Sequence, residues 1–378
     1  MKRSLLVLFA IILFPTFCHA QTVAPVETAA KQAFLLDANT NTVLFTKDAD
    51  TQMPTSSMSK MLTIYLVFEA LRDGKLKLDD TFPTSEHAWK QEGSRMFLNV
   101  GQRARVEDLI RGVVIQSGND AAVVLAEALG GSEENFAEMM NAKAQQLGMK
   151  NSHFVNATGL PDPQHYSTAR DLATLAMALL HDFPENYHYF SEQQFTYNNI
   201  SQGNRNPLLY RNMNVDGLKT GHTDTGGYGL TASALRDGRR LVLVLNGMED
   251  MQARADESAK MLDWGYREYG LYPVAKAGEN LAQAKVWLGQ KPNVRLLLTR
   301  DVVLTLPRSV RDGLKAEVSF VQPIQAPITT GQELGKLTLL APGMTPEEIP
   351  LIAAENVARV GFFARMTAKL KLLLHKDA

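Results

Sequence analysis

The chain has 378 residues, 45% of them hydrophobic types, which is too long for one small core and too apolar for a disordered protein, so two domains are expected. Lys plus Arg number 39 against 40 for Asp plus Glu, a formal charge of −1, and this near-neutral balance excludes the wrapping of a phosphate backbone, so no nucleic-acid partner is expected. The single cysteine, Cys18, excludes a disulfide framework and any cysteine-based zinc or iron–sulfur site.

Residues 1–20 read as a secretory signal peptide. Lys2 and Arg3 precede an apolar run from Leu5 to Phe14, Pro15 breaks it, and Cys18 and Ala20 place small residues before a cleavage point. Cleavage there removes the only thiol. The run is short for a membrane span. Two short strands follow at 33–37 and 43–47, around the turn residues Asn39-Thr40-Asn41. A helix is expected over 57–71, between Pro54 and Gly74. Further helices are expected at 106–115, 121–129, 133–147 and 168–180. Runs at 228–235 and 240–245 flank Asp237-Gly238, a hairpin signal. Helical spacing returns over 252–269.

Strands at both ends of a helical middle predict an α+β domain whose sheet is built from distant segments. After about residue 275 the pattern changes to short β runs broken by Pro, Gly and Asp, at 284–288, 294–298, 302–306, 316–321 and 336–340. This predicts a small all-β domain. The expected divisions are a signal at 1–20, a catalytic domain at 21–275, a β domain at 276–350 and a C-terminal helix at 351–378.

Residues 353–376 have no internal proline and read as an amphipathic helix. Phe363, Met366, Leu370, Leu373 and Leu374 share one side, and Arg365, Lys369 and Lys376 lie opposite. Five bases in this tail against Glu355 and Asp377 give +3. Loss of Lys2 and Arg3 takes the mature chain to −3, so the body before the tail carries −6. A basic amphipathic tail suits the surface of an anionic membrane. A terminal helix packed on its own core is the competing reading. Deletion after Pro350 is expected to release the protein from membranes.

The chain has no His-Glu-x-x-His, no Gly-x-Ser-x-Gly elbow and no Walker loop, and its eight histidines are scattered. No metal or other cofactor is expected. One constellation remains. Ser57-Met58-Ser59-Lys60 opens a helix, and spacing of three places Ser57 and Lys60 on one face. A serine hydroxyl needs a base before it is a useful nucleophile, and a lysine serves if burial and a neighbouring cation depress its pKa. A serine in the first helical turn also has backbone N–H groups nearby for a developing oxyanion. Alone, this pattern reads equally as an ordinary helix start. Ser117-Gly118-Asn119 is a turn between two helices, or a hydroxyl and an amide presented to a site. Lys219-Thr220-Gly221, followed by His222 and Thr223, is a loop or edge strand, or a holder for a carboxylate with a glycine that admits a close backbone.

Together and in this order, at intervals of 60 and 102 residues, the three segments resemble the Ser-x-x-Lys, Ser-x-Asn and Lys-Thr-Gly motifs of penicillin-binding proteins and serine β-lactamases. The stretches GMKNSHFVNATGLPDPQHYSTAR (148–170), NVDGLKTGHT (214–223) and KMLDWGY (260–266) narrow the resemblance to the low-molecular-mass D-alanyl-D-alanine carboxypeptidases, over essentially the whole chain. That resemblance implies a transpeptidase-like catalytic domain with a five-stranded sheet, followed by a β-sandwich-like domain. It implies Ser57 as the acylated nucleophile and Lys60 as its base. Ser117 and Asn119 would relay protons and orient the substrate amide. Lys219 would tune the site, and Thr220, beside Gly221, and Arg254 would bind the terminal carboxylate. The N–H groups of Ser57 and His222 would form the oxyanion hole. Without the family match, Arg254 reads as a surface helix residue.

The implied partners are peptidoglycan stem peptides and β-lactam antibiotics, at the periplasmic face of the inner membrane. The implied reaction removes the terminal D-alanine of a stem pentapeptide through an acyl-enzyme. A D,D-endopeptidase, a weak β-lactamase and a non-catalytic peptidoglycan-binding protein of the envelope are the alternatives. No Glu-x-x-x-Asn loop is evident to supply a deacylating water, so efficient antibiotic hydrolysis is not expected.

Overall fold

A computed structural model describes Val23 and residues 25–367. The expected signal segment and the tail beyond residue 367 lie outside the described residues. The chain divides into two compact units, one formed by Pro25–Tyr272 with Val303–Thr305 and the other by Pro273–Val302 with the residues from Leu306 onward.

In the first unit, β1 (Gln32–Asp37) and β2 (Thr42–Lys47) pair antiparallel around Asn41, whose φ of 59° an asparagine tolerates. They are joined by β3 (Val215–Thr223), β4 (Gly227–Arg236) and β5 (Arg239–Met248). The five strands run in the order β2-β1-β5-β4-β3, all antiparallel, with Phe34 opposite Val244 at the seam between the distant segments. The expected hairpin forms at Asp237 and Gly238, both at positive φ, which matches the twist of the flanking strands. β3, expected as a loop or edge strand, is the edge strand of this sheet. Its sequence lacks period-two alternation because Leu218, Lys219, Thr220 and Gly221 are all buried in succession.

The helix expected from Ser57 starts with a 3-10 turn, Ser56–Ser59, and continues as α1 (Lys60–Arg72). α1 is buried on nearly every side, with Met61, Leu62, Ile64, Val67 and Phe68 at 1% exposure or less. A helix apolar all round belongs in a core. Each such side chain stabilises the fold by about 1.5–3 kcal/mol. Around it lie α2 (Val106–Val114), α3 (Asn119–Gly130), α4 (Glu133–Gln146) and α5 (Ala169–Asp182). Ser132 and Thr168 cap α4 and α5 by accepting from Asn135 and Asp171 N–H. α6 (Met251–Glu268), capped by Asp250, packs Met261, Leu262 and Trp264 inward. This is the α+β catalytic fold expected.

The second unit is all-β. β6 (Asn280–Trp287), β7 (Asn293–Leu297), β8 (Lys315–Phe320), β9 (Ile324–Gln325), β10 (Glu333–Leu340) and β11 (Glu347–Ala353) form a six-stranded sheet in the order β8-β10-β11-β7-β6-β9. Along β11, Ile349, Leu351 and Ala353 are buried while Glu348 and Pro350 face out, the period of a half-buried strand. β11 crosses the boundary expected after residue 350 and corrects the expected helix start at residue 353. Val357 and Arg359 still form bridges, to Ile328 and Gly289, and helical backbone begins only at Phe362. Strand pairing of the alternating residues overrides the helical pattern until Gly361. No described helix is long and apolar enough to cross a membrane.

Candidate active site

The 3-10 turn decides the first contact. Residues three apart eclipse in that geometry, and Lys60 Nζ lies 2.8 Å from Ser57 Oγ. Ser57 is half-buried, open to the surface, whereas Lys60 is fully buried. Lys60 Nζ also donates to Asn119 Oδ1 and to the Thr158 carbonyl, each at 2.6 Å. Burial lowers the Lys60 pKa from 10.5 to about 7, against the opposing pull of Asp120 and Glu133. A neutral amine held this way keeps two N–H groups for Asn119 and Thr158, and turns its lone pair on the Ser57 hydroxyl. That arrangement can take the serine proton.

Ser117 sits at φ 61°, an unfavourable conformation for a residue with a Cβ, of the kind found where a site fixes a side chain. Its hydroxyl meets Lys219 Nζ at 3.0 Å. Burial, then the positive charges of Lys60, Arg254 and Arg205, push the Lys219 pKa well below the ordinary lysine value. Asn119 opens α3, and its amide is oriented at both ends, since Nδ2 donates to the Glu92 carbonyl at 2.6 Å. Buried Asp120 accepts from Met96, Leu98 and Ala121 N–H and ties the loop before α2 to this turn.

β3 brings up the other wall. A Cβ on Gly221 would stand 2.7 Å from the Thr55 carbonyl and 3.1 Å from Ser56 Cβ, so only glycine lets the strand lie against the Ser57 turn. Arg254, in the first turn of α6, is buried rather than on the surface, and its Nε has no hydrogen-bond partner. Its guanidinium lies 5.6 Å from the centre of the Tyr228 ring, on which His222 stacks at 3.9 Å. Burial lowers its pKa to about 10.

Ser57, Ser117, Asn119, Thr220, Gly221, His222 and Arg254 all line one cleft of about 350 Å3, with Lys60 and Lys219 hydrogen-bonded behind it. Arg205 and Arg254 line it and no carboxylate does. Such a cleft can accept an anionic group beside an activated serine. Among the described residues there is no group of three or more His, Cys, Asp or Glu side chains placed to hold a metal.

Sequence reasoning missed four participants. The Thr158 carbonyl has no side-chain signature. Gly159 has φ +79°, and a Cβ there would fall 1.8 Å from the Ser56 carbonyl and 3.1 Å from Ser57 N. It lies in the quoted 148–170 stretch, where only its conformation reveals its task. Arg205 and Tyr228 lie outside any motif.

Residues 19–250 match the D-alanyl-D-alanine carboxypeptidase family, and residues 269–359 match the C-terminal domain of penicillin-binding protein 5. The chain is 38% identical to the D-alanyl-D-alanine carboxypeptidase DacC of Escherichia coli (strain K12) over 377 residues, 97% of this chain and 94% of that one. It is 37% identical to DacA of Haemophilus influenzae, over 91% of this chain and 89% of that one. The crystal structure of penicillin binding protein 5 from Haemophilus influenzae superposes with a TM-score of 0.81, at 37% identity, over 89% of this chain and all of that one. Penicillin-binding protein D2 of Listeria monocytogenes, in its cefotaxime-bound form, superposes over 64% of this chain and 99% of its own length, with a TM-score of 0.59 and 28% identity. With that agreement in sequence and in fold, the chain belongs to the D-alanyl-D-alanine carboxypeptidase family.

Proposed function

We propose that the chain is a serine-type D-Ala-D-Ala carboxypeptidase in which Ser57 is acylated by peptidoglycan stem pentapeptides. The observation that carries this is the 2.8 Å contact between Ser57 Oγ and a buried lysine amine with a pKa of about 7. Arg254 and Thr220 bind the carboxylate of the terminal D-alanine, an anion that a forked guanidinium suits. Asn119 orients the substrate amide, and the N–H groups of Ser57 and His222 receive the carbonyl oxygen. Ser57 Oγ attacks the carbonyl carbon between the two D-alanines, and Lys60 takes its proton. The Lys219–Ser117 pair stabilises the charge that develops and passes a proton to the departing amine. D-alanine leaves, and water hydrolyses the acyl-enzyme. β-lactams present a strained amide and a carboxylate to the same groups and acylate Ser57.

The endopeptidase reading is not favoured. Relatives named carboxypeptidase match nearly the whole chain, whereas a relative named endopeptidase matches 65% of it. The family places the enzyme in the cell envelope. The finer assignment, to the periplasmic face of the inner membrane, rests on the expected signal at 1–20 and on the tail. Exposed Phe362, Phe363 and Met366 beside Arg365 support a membrane-surface role for that tail.

Intact-mass and peptide mapping after incubation with penicillin tests the assignment. An adduct on Ser57, absent in Ser57→Ala, is expected. No adduct, or one that persists in Ser57→Ala, removes it.

A further inference from the structure

The Thr158 carbonyl that receives the Lys60 amine is itself held in place. Thr63, three residues on from Lys60 in α1, donates to the Ala157 carbonyl at 2.7 Å, and Asn156 Oδ1 accepts from the Thr158 and Gly159 N–H groups at 3.2 and 2.7 Å. The Ala157 N–H goes to Glu133 Oε1 at 2.9 Å, and the other oxygen of that carboxylate, Oε2, meets His87 Nε2 at 2.7 Å. A carboxylate in the first turn of a helix is ordinary, since it faces the positive end of the peptide dipoles. Glu133 and Glu134 both stand there in α4. Their surroundings differ. Glu134 is exposed, whereas the Glu133 side chain is 11% exposed and both of its oxygens bond outside the helix. Stabilising α4 calls for neither that burial nor those partners.

The charges that act on Lys60 come from several elements. Asp120, in the first turn of α3, and Glu133, in the first turn of α4, are carboxylates that oppose the effect of burial on its amine. Lys219, on β3, acts with the opposite sign. His165 is neutral near pH 7, because burial lowers its pKa to about 4. Beside Glu133 itself stand His87 and Glu134. We infer that Glu133 is a positioning residue for the acylation step: it fixes the backbone segment whose carbonyl orients Lys60, and its charge supports the basicity of that amine. The inference rests on the carboxypeptidase reading, in which Lys60 takes the Ser57 proton. Glu133 acts through Lys60 and touches no substrate.

The test is the pH profile of Ser57 acylation by penicillin, measured on the full chain and on three variants of it. Glu133→Gln keeps an oxygen for the Ala157 N–H and loses the charge. Burial is then less opposed, Lys60 sheds its proton at lower pH, and the rising limb of the profile should move to lower pH by about half a unit. The plateau should fall about twofold to threefold, because the amine is a weaker base. Glu133→Ala loses the acceptor as well, and its plateau should fall by roughly tenfold or more. Glu134→Gln makes the same change of net charge in water, where it is screened, and should reproduce the wild-type profile. A limb that stays in place in Glu133→Gln, or that moves equally in Glu134→Gln, overturns the inference. So does a Glu133→Ala plateau no lower than that of Glu133→Gln. Glu133→Gln keeps the size and shape of the side chain, so it decides the matter even where Glu133→Ala does not fold. Failure of the underlying reading looks different: the wild type itself would form no penicillin adduct.

Discussion

Lys219 Nζ donates to Ser117 Oγ at 3.0 Å across 102 positions of sequence, and both residues are buried. A buried amine so close to Lys60 and Arg254 is costly for the fold, which is the expected sign of a group kept for chemistry. Lys219→Met should slow acylation by penicillin on the order of 10²–10³-fold, the scale of a lost electrostatic partner in a preorganised site. Its thermal midpoint should stay level or rise, because the desolvation cost of a buried amine is gone. Stopped-flow acylation and a thermal melt measure the two effects. Acylation within threefold of the wild type would remove Lys219 from the mechanism.

Lys60 must be neutral to accept the Ser57 proton, and burial lowers its pKa to about 7. The acylation rate should therefore be low in acid, rise as the pH passes about 7, and level off above. Lys60→Arg puts in the same place a cation that does not lose its proton in this range. It should lose the rising limb together with nearly all activity. A wild-type rate that is flat between pH 5.5 and pH 8.5, values chosen on the order of 1.5 units either side of 7, would show that another group accepts the proton.

Gly159 and Gly148 share a positive φ, +79° and +81°, but only Gly159 has a neighbour where a Cβ would go. Alanine at either position should cost about 1 kcal/mol or more in backbone strain. At Gly148 the loss should stop there, with penicillin acylation intact. At Gly159 the new Cβ must displace the Ser56 carbonyl or the loop itself, so acylation should fall by more than tenfold. Equal effects of the two substitutions on acylation would mean that the Gly159 contact does not hold the Ser57 turn.

The motifs were legible because their chemistry depends on residue type and order. Ser57 and Lys60 meet through local helix geometry alone, so spacing of three sufficed to pair them. The strands at 33–37 and 240–245 were also legible, since their apolar runs are bounded by turn residues. β3 could be read only as a loop or an edge strand, because its buried polar residues serve the cleft and break the alternation a strand shows elsewhere. Thr158 acts through its carbonyl, which leaves no mark in residue type, and Gly159 acts through a missing Cβ, which in the sequence reads like any other turn glycine. The burial of Arg254 depends on α6 packing against the sheet, a relation formed only in the fold.

The pair Asp37 and Arg239 tests what holds the sheet. Arg239 Nε donates to Asp37 Oδ2 at 2.7 Å, and its Nη1 donates to the Tyr269 carbonyl at 2.7 Å. Both side chains are buried, and they join the central strands β1 and β5. Asp37→Ala leaves a buried guanidinium without its counter-charge and should cost about 3–5 kcal/mol of unfolding free energy. Replacing both, with Asp37→Leu and Arg239→Met, should recover most of that loss. Urea denaturation separates the outcomes. A double variant no more stable than the single one would place the loss in packing and not in the unpaired charge.

A membrane role proposed for the tail calls for a different test from deletion after Pro350. That cut would remove Leu351, Ala353 and Val357, which are buried in the second unit, and would leave Leu296 without its strand partner. Deletion after Gly361 keeps β11 and the bridges at Val357 and Arg359, and removes Phe362, Phe363 and Met366 with the basic residues that follow. The shorter deletion should leave D-alanine release unchanged and move the protein from the membrane pellet to the soluble fraction. Its attachment before deletion should weaken with salt, because part of it comes from lysines and arginines near anionic headgroups. Deletion after Pro350 should instead lower the melting transition of the second unit. If the chain cut after Gly361 stays in the pellet once removal of residues 1–20 has been verified by mass, the tail is not the anchor.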